Sequence, residues 1–94
     1  MAIESVDVDS LRPELRRLGV QDLWLFGSRA RGDGHSASDW DFLVEFSRSP
    51  SFGDFMGLKL LLDDHFGGHV DLLCRRACTA RFLDAIREEL VNVT

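Results

Sequence analysis

Two aspartates, Asp39 and Asp41, flank a tryptophan at the start of the stretch DWDFLVEF. Because side chains alternate across a β-strand, the two carboxyl groups are expected on one face and Trp40 on the other. Adjacent carboxylates raise each other's pKa unless a cation neutralises them, and such oxygen ligands suit Mg²⁺. The pair therefore predicts a metal site, although Asp-x-Asp in a solvated turn has the same sequence.

A Gly-Ser pair, Gly27 and Ser28, directly follows the apolar run LWLF. Glycine allows a sharp turn close to a ligand, and serine can begin a short helix whose N–H groups face an anion. Arg29 and Arg31 lie two residues apart, so one is expected to reach the phosphates and the other a partner. A strand followed by Gly-Ser and a short helix predicts a phosphate-binding site, although its sequence is not that of a P-loop. Gly-Ser is also common in ordinary turns that bind no ligand.

Asp71 lies inside the apolar run HVDLLC. A charge in a short central strand is costly unless it is paired or binds a metal. If this strand lies beside the strand of Asp39 and Asp41, three carboxylates meet and could hold two Mg²⁺ ions about 3.5–4 Å apart. A salt bridge from Asp71 to Arg75 or Arg76 is the alternative.

The rest of the chain predicts the elements that carry these residues. The apolar spacing indicates helices after Ser10, between Pro50 and Gly67, and after Thr79. Apolar runs indicate strands over 23–26, 40–46 and 70–73. We expect an α/β (α+β) fold, a small mixed sheet of three to four strands with helices packed on one face.

The chain length and the net charge limit the classes of function that this protein can have. The 94 residues are expected to form a single domain, 1–94, with a modest core. A net charge of −5 disfavours direct nucleic-acid binding and suits a basic protein partner. The acidic start lacks the basic residues of a signal peptide, and no apolar run approaches the roughly 20 residues of a membrane span. A cytoplasmic protein is expected.

The chain also contains the pattern H-x3-H-x4-C-x3-C, from His65 and His69 to Cys74 and Cys78. The expected strand between the two pairs would hold them roughly 16 Å apart, too far for one zinc ion. We therefore expect no zinc site here.

Taken together, the segment LFGSRARGDGHSASDWDFLVEF resembles the polymerase-beta-like nucleotidyltransferases, and most closely the minimal nucleotidyltransferases (MNT). The resemblance implies the nucleotidyltransferase fold and transfer of AMP from ATP, with Mg²⁺, onto a hydroxyl group. It implies that Gly27 and Ser28 hold the triphosphate, that Asp39 and Asp41 ligate the metals, and that Asp71 completes the catalytic metal site. Nucleotide preference rests on the resemblance alone.

Minimal members of this superfamily commonly act as antitoxins to HEPN toxins, and some add AMP to a toxin tyrosine. The resemblance therefore implies a HEPN toxin as partner and acceptor. Because this chain has no tyrosine, such an acceptor must lie on another protein. A binding antitoxin without catalysis and a small-molecule nucleotidyltransferase are the alternatives, and a homo- or hetero-oligomer stays open. Trp40 replaces a smaller aliphatic residue, which is expected to change packing only.

Overall fold

A computed structural model describes residues 7–32 and 39–94. Residues 1–6, part of the acidic start, and residues 33–38, part of the segment that carries the resemblance, lie outside the described ranges. The described helices are α1 (Arg12–Arg17), α2 (Ser28–Arg31), α3 (Phe52–Phe66) and α4 (Ala80–Ile86). The described strands are β1 (Val20–Phe26), β2 (Trp40–Phe46), β3 (Val70–Cys74) and β4 (Val91–Asn92).

The four strands form one sheet in the order β3-β2-β1-β4. Strand β1 runs antiparallel to β2 and β4, whereas β2 and β3 are parallel. The expected mixed sheet of three to four strands is thus confirmed. The two-residue β4 was not foreseen, because so short a strand carries no readable periodicity.

Capping residues determine where the long helix α3 begins and ends. Ser51 accepts the Asp54 N–H while the Asp54 side chain accepts the Ser51 N–H, a reciprocal capping box at the start of α3. Gly67 ends the helix with a φ of 83°, a left-handed conformation that glycine adopts at little cost. These two caps fix the bounds of α3, and β3 begins four residues after its end, with Asp71 as the second residue of the strand.

The main core lies between the sheet and helices α1 and α3. Its fully buried members include Phe42, Leu58 and Leu62. Helix α4 covers the opposite face, where Ile86 packs with Phe26 and Leu43. Helices α1 and α3 lie on one face of the sheet, as expected. Helix α4 lies on the other face, because β1 and β2 carry apolar side chains on both faces.

None of the helices in residues 7–32 and 39–94 combines the length and the apolar character needed to cross a bilayer.

Candidate active site

Asp41 lies directly opposite Asp71 in the parallel pairing of β2 with β3. Its pKa is raised, first by burial, then by the negative charges of Asp71 and Asp39 and by a hydrogen bond to the Asp71 side chain. The charge of Glu89 adds to the effect. The Asp41 carboxyl group is therefore close enough to Asp71 and Asp39 to feel their charges.

The alternative salt bridges of Asp71 do not form. The Arg75 guanidinium lies 2.6 Å from the Glu45 carboxylate, and Arg76 donates to the Ser49 hydroxyl and the Phe46 carbonyl. Asp71 itself is exposed on β3, the edge strand of the sheet. Its carboxyl group is thus directed to Asp41 and to the surface rather than to a cation of its own strand.

The donor chemistry of these carboxyl groups fits Mg²⁺, because all the donors are carboxyl oxygens and two of them are held side by side. Within the two described ranges, however, no three His, Cys, Asp or Glu side chains are placed to hold a metal ion. A cation bound beside these carboxyl groups would relieve the charge repulsion that contributes to the raised pKa of Asp41.

At Gly27, directly after β1, the backbone passes close to these carboxyl groups. The β1–β2 pairing ends at Phe26 and Asp41, and Gly27 then adopts φ 83° and ψ −162°, a region essentially reserved for glycine. A Cβ atom here would lie 3.3 Å from the Asp41 Cγ and would overlap one of its oxygens. Ser28, the next residue, begins α2 as predicted.

The two arginines of α2 take different positions. The Arg31 Nη1 lies 3.3 Å from Glu89 Oε1, and that same oxygen accepts the Gly27 N–H at 2.7 Å. The Arg29 guanidinium carbon lies 4.0 Å from the centroid of the Trp40 ring. Arg31 is thus linked through Glu89 to the turn that approaches Asp41.

Trp40 is partly buried and packs against the main core. Its ring centroid lies 4.6 Å from that of Phe66 and 6.4 Å from that of Phe42. These rings belong to the core under α3, whereas Asp41 alternates to the opposite side of β2.

Sequence analysis did not identify Glu89 as part of the site. It lies 62 residues from Gly27, in a turn of 3-10 helix between α4 and β4. Beside Glu88 in the stretch REEL it is typical of a solvated helix end, so no local signal indicated its position.

The family described as "Nucleotidyltransferase domain" matches residues 8–92, which include every predicted site residue. The chain belongs to this nucleotidyltransferase family. The resemblance and the expectation of a nucleotidyltransferase are therefore confirmed, and the mixed sheet is the fold of the family.

Curated relatives cover nearly the whole chain. The protein adenylyltransferase MntA of Thermococcus cleftensis is 35% identical over 92 residues, 97% of this chain and 92% of the relative. A Methanocaldococcus jannaschii protein, provisionally named a protein adenylyltransferase, is 37% identical over 81 residues, 86% of this chain and 87% of the relative. This nucleotidyltransferase thus spans almost the full length of both relatives.

Solved structures agree in fold. One provisionally described as a minimal nucleotidyltransferase superposes with a TM-score of 0.73 at 30% identity, covering 90% of this chain and 94% of the other. A toxin-antitoxin structure with AMP-PNP gives a TM-score of 0.74 at 22% identity, covering 92% of this chain and 71% of the other. A Shewanella oneidensis complex of a tri-AMPylated HEPN toxin with its MNT antitoxin gives 0.68 at 18% identity, covering 100% and 72%.

Proposed function

We propose that this nucleotidyltransferase is a magnesium-dependent protein adenylyltransferase that moves AMP from ATP to a hydroxyl group, that of a tyrosine, on a partner HEPN toxin, and thereby acts as an antitoxin. The observation that carries the proposal is the placement of Asp41 opposite Asp71, with the Gly27 backbone against the Asp41 carboxyl group. The curated relative named protein adenylyltransferase MntA and the HEPN–MNT complex of the same fold support the acceptor class.

Each predicted residue then has a role in phosphoryl transfer, which depends mainly on positioning and charge neutralisation. Gly27 and Ser28 hold the triphosphate, aided by Arg31 and Arg29. Arg31 contacts Glu89, whose carboxylate also accepts the Gly27 N–H.

Asp39, Asp41 and Asp71 would hold the Mg²⁺ ions, two in number, which supply charge neutralisation of the triphosphate and a lowered pKa for the attacking hydroxyl. The raised pKa of Asp41 supports this assignment, because a group of like charges gains most from a bound cation.

In the reaction, the acceptor oxygen bonds to the α-phosphorus, the bond from that phosphorus to the β-phosphate oxygen breaks, and pyrophosphate leaves. The hydroxyl proton passes to a carboxylate or to water. Asp71 is suited to orient the acceptor, because it is exposed on the edge strand and faces Asp41. A side chain of another protein can reach it there.

The acceptor belongs to a second protein, since this chain contains no tyrosine. A complex with the toxin would be a hetero-oligomer in the cytoplasm, and the net charge of −5 suits a basic protein partner.

A small-molecule acceptor is less well supported. A cavity of about 300 Å³, lined partly by Arg12, Val20 and Asp22, lies at the start of β1. Gly27 follows the other end of that strand, so this cavity offers no walls for a substrate at the carboxyl groups.

The test is incubation of the purified chain with α-labelled ATP, Mg²⁺ and its cognate HEPN toxin, followed by detection of label on the toxin. The Asp39→Asn/Asp41→Asn double variant should give no label, whereas a matched double variant, Asp64→Asn/Asp84→Asn, should label as the wild type does.

Toxin neutralised equally well by the wild type and by the Asp39→Asn/Asp41→Asn variant, with no label in either case, would instead establish a binding antitoxin. Label on a small molecule but on no protein would identify the third alternative.

A further inference from the structure

Glu89 joins the C-terminal part of the chain to the Gly-Ser turn. A single carboxylate oxygen, Oε1, accepts the Gly27 N–H at 2.7 Å and lies 3.3 Å from the Arg31 Nη1. The Glu89 side chain is only 25% exposed, and its hydrogen bond to the Gly27 N–H is partly buried, whereas its contact with Arg31 is open to water. Two groups assigned to the triphosphate therefore meet at one oxygen of a third residue.

The backbone explains why Gly27 needs this partner. The β1–β2 pairing ends one residue earlier, at Phe26 and Asp41, so the sheet supplies no acceptor for the Gly27 N–H. A carboxylate supplies a charge-assisted hydrogen bond, which is shorter and stronger than a neutral one. Glu89 thus holds the turn at the point where its backbone approaches Asp41.

We infer that Glu89 is a positioning residue of the nucleotidyl-transfer site, setting the place of the Gly27 backbone and of the Arg31 guanidinium for the triphosphate. The inference rests on the proposed function. Glu89 itself contacts protein groups, and its effect on nucleotide binding passes through them.

The turn that carries Glu89 is anchored on both sides. Ile86, at the end of α4, is buried against Phe26 and Leu43, and Val91 in β4 pairs with Leu25 of β1. Glu89 is thereby fixed relative to β1, the same strand that ends at Gly27. A loose surface side chain would not hold the turn in this way.

Three variants separate positioning from simple stability. Glu89→Ala removes both contacts, whereas Glu89→Gln keeps an acceptor for the Gly27 N–H and loses the charge that faces Arg31. Glu88→Ala is the matched control, since Glu88 is the exposed neighbour in the same turn.

The first measurement is the affinity of each variant for ATP with Mg²⁺, at a temperature well below the melting temperature of that variant. The hydrogen-exchange rate of the Gly27 amide is measured under the same conditions. We expect Glu89→Ala to weaken ATP binding about 10- to 100-fold and to speed Gly27 exchange, with Glu88→Ala unchanged. Glu89→Gln should lie between them and keep Gly27 protected. Unchanged or tighter ATP binding by Glu89→Ala would overturn the inference.

The second measurement isolates the Arg31 contact. Glu89→Gln should weaken ATP binding several-fold in the wild type and have no effect in an Arg31→Ala background, because the pair then has nothing left to orient. If Glu89→Gln weakened ATP binding equally in both backgrounds, the role of the ion pair would be refuted. Glu89→Gln also provides the test if Glu89→Ala does not fold. A wild type that binds ATP but labels no toxin would refute the proposed function while leaving the positioning result intact.

Discussion

Asp41 and Asp71 stand opposite each other on the parallel strands β2 and β3, and the negative charge of Asp71 helps to raise the pKa of the Asp41 carboxyl group. The arrangement is unfavourable for two anions and favourable for a cation. The carboxyl groups assigned to catalysis therefore lower the stability of the metal-free protein, because they repel one another.

The first prediction concerns Asp71→Asn. The variant should lose AMP transfer by about 10²-fold or more, since several kcal/mol of charge stabilisation in the transition state depend on the carboxylates. Without Mg²⁺ above neutral pH, it should melt at a higher temperature than the wild type because one repelling charge is gone. Initial rates and thermal melts check both effects, with Asp64→Asn as the exposed control. Full activity in Asp71→Asn would contradict its assignment.

The second prediction is the pH dependence of stability in the presence of a chelator. The pKa of Asp41 is raised by burial and by Asp71, so the folded chain keeps a proton that the unfolded chain releases near pH 3.9. The stabilisation is present at low pH and declines as pH rises through the raised pKa. The free energy of unfolding of wild type minus that of Asp41→Asn should therefore fall from pH 4 upward. A difference that stays constant would exclude the raised pKa.

Asp63 should show the opposite trend. Its pKa is lowered by the hydrogen bond from Lys59, whose Nζ lies 2.7 Å away, and it also accepts the Val70 N–H. Its stabilisation is present above about pH 3.9 and is lost as pH falls through the lowered pKa.

Asp63→Asn should lower the free energy of unfolding at pH 7 by about 1 kcal/mol, or roughly 4–8 °C in melting temperature. The deficit should vanish in strong acid, as denaturant titrations at pH 7 and pH 2 would show. The neighbouring Asp64→Asn variant should lose nothing at either pH.

The fourth prediction concerns Gly27→Ala. The substitution places a Cβ against the Asp41 carboxyl group and forces alanine into a conformation that costs about 1–3 kcal/mol. Transfer activity should fall about 10²-fold, because the backbone must move away from the carboxyl groups.

Gly67→Ala is the control for this backbone strain. Gly67 has the same φ of 83°, but a Cβ there has nothing within 4 Å. This variant should lose stability and keep its activity per folded molecule. Equal activity losses in the two variants would show that contact with Asp41 is unimportant.

The sequence by itself determined three of the four strands and the long helix, and it carries the prediction of the site residues. Apolar runs with strong caps, such as Ser51 before α3 and Thr79 before α4, depend on neighbouring residues alone. The alternation of Asp39, Trp40 and Asp41 is likewise a property of any strand, whatever lies beside it.

Only the tertiary structure decided which distant groups meet. The parallel register of β2 and β3 places Asp71 opposite Asp41 instead of beside Arg75 or Arg76. The pairing of β4 with β1 and the burial of α4 bring Glu89 to the Gly27 turn. Such contacts depend on strand order and packing over some 60 residues of chain, and local propensity carries no information about either.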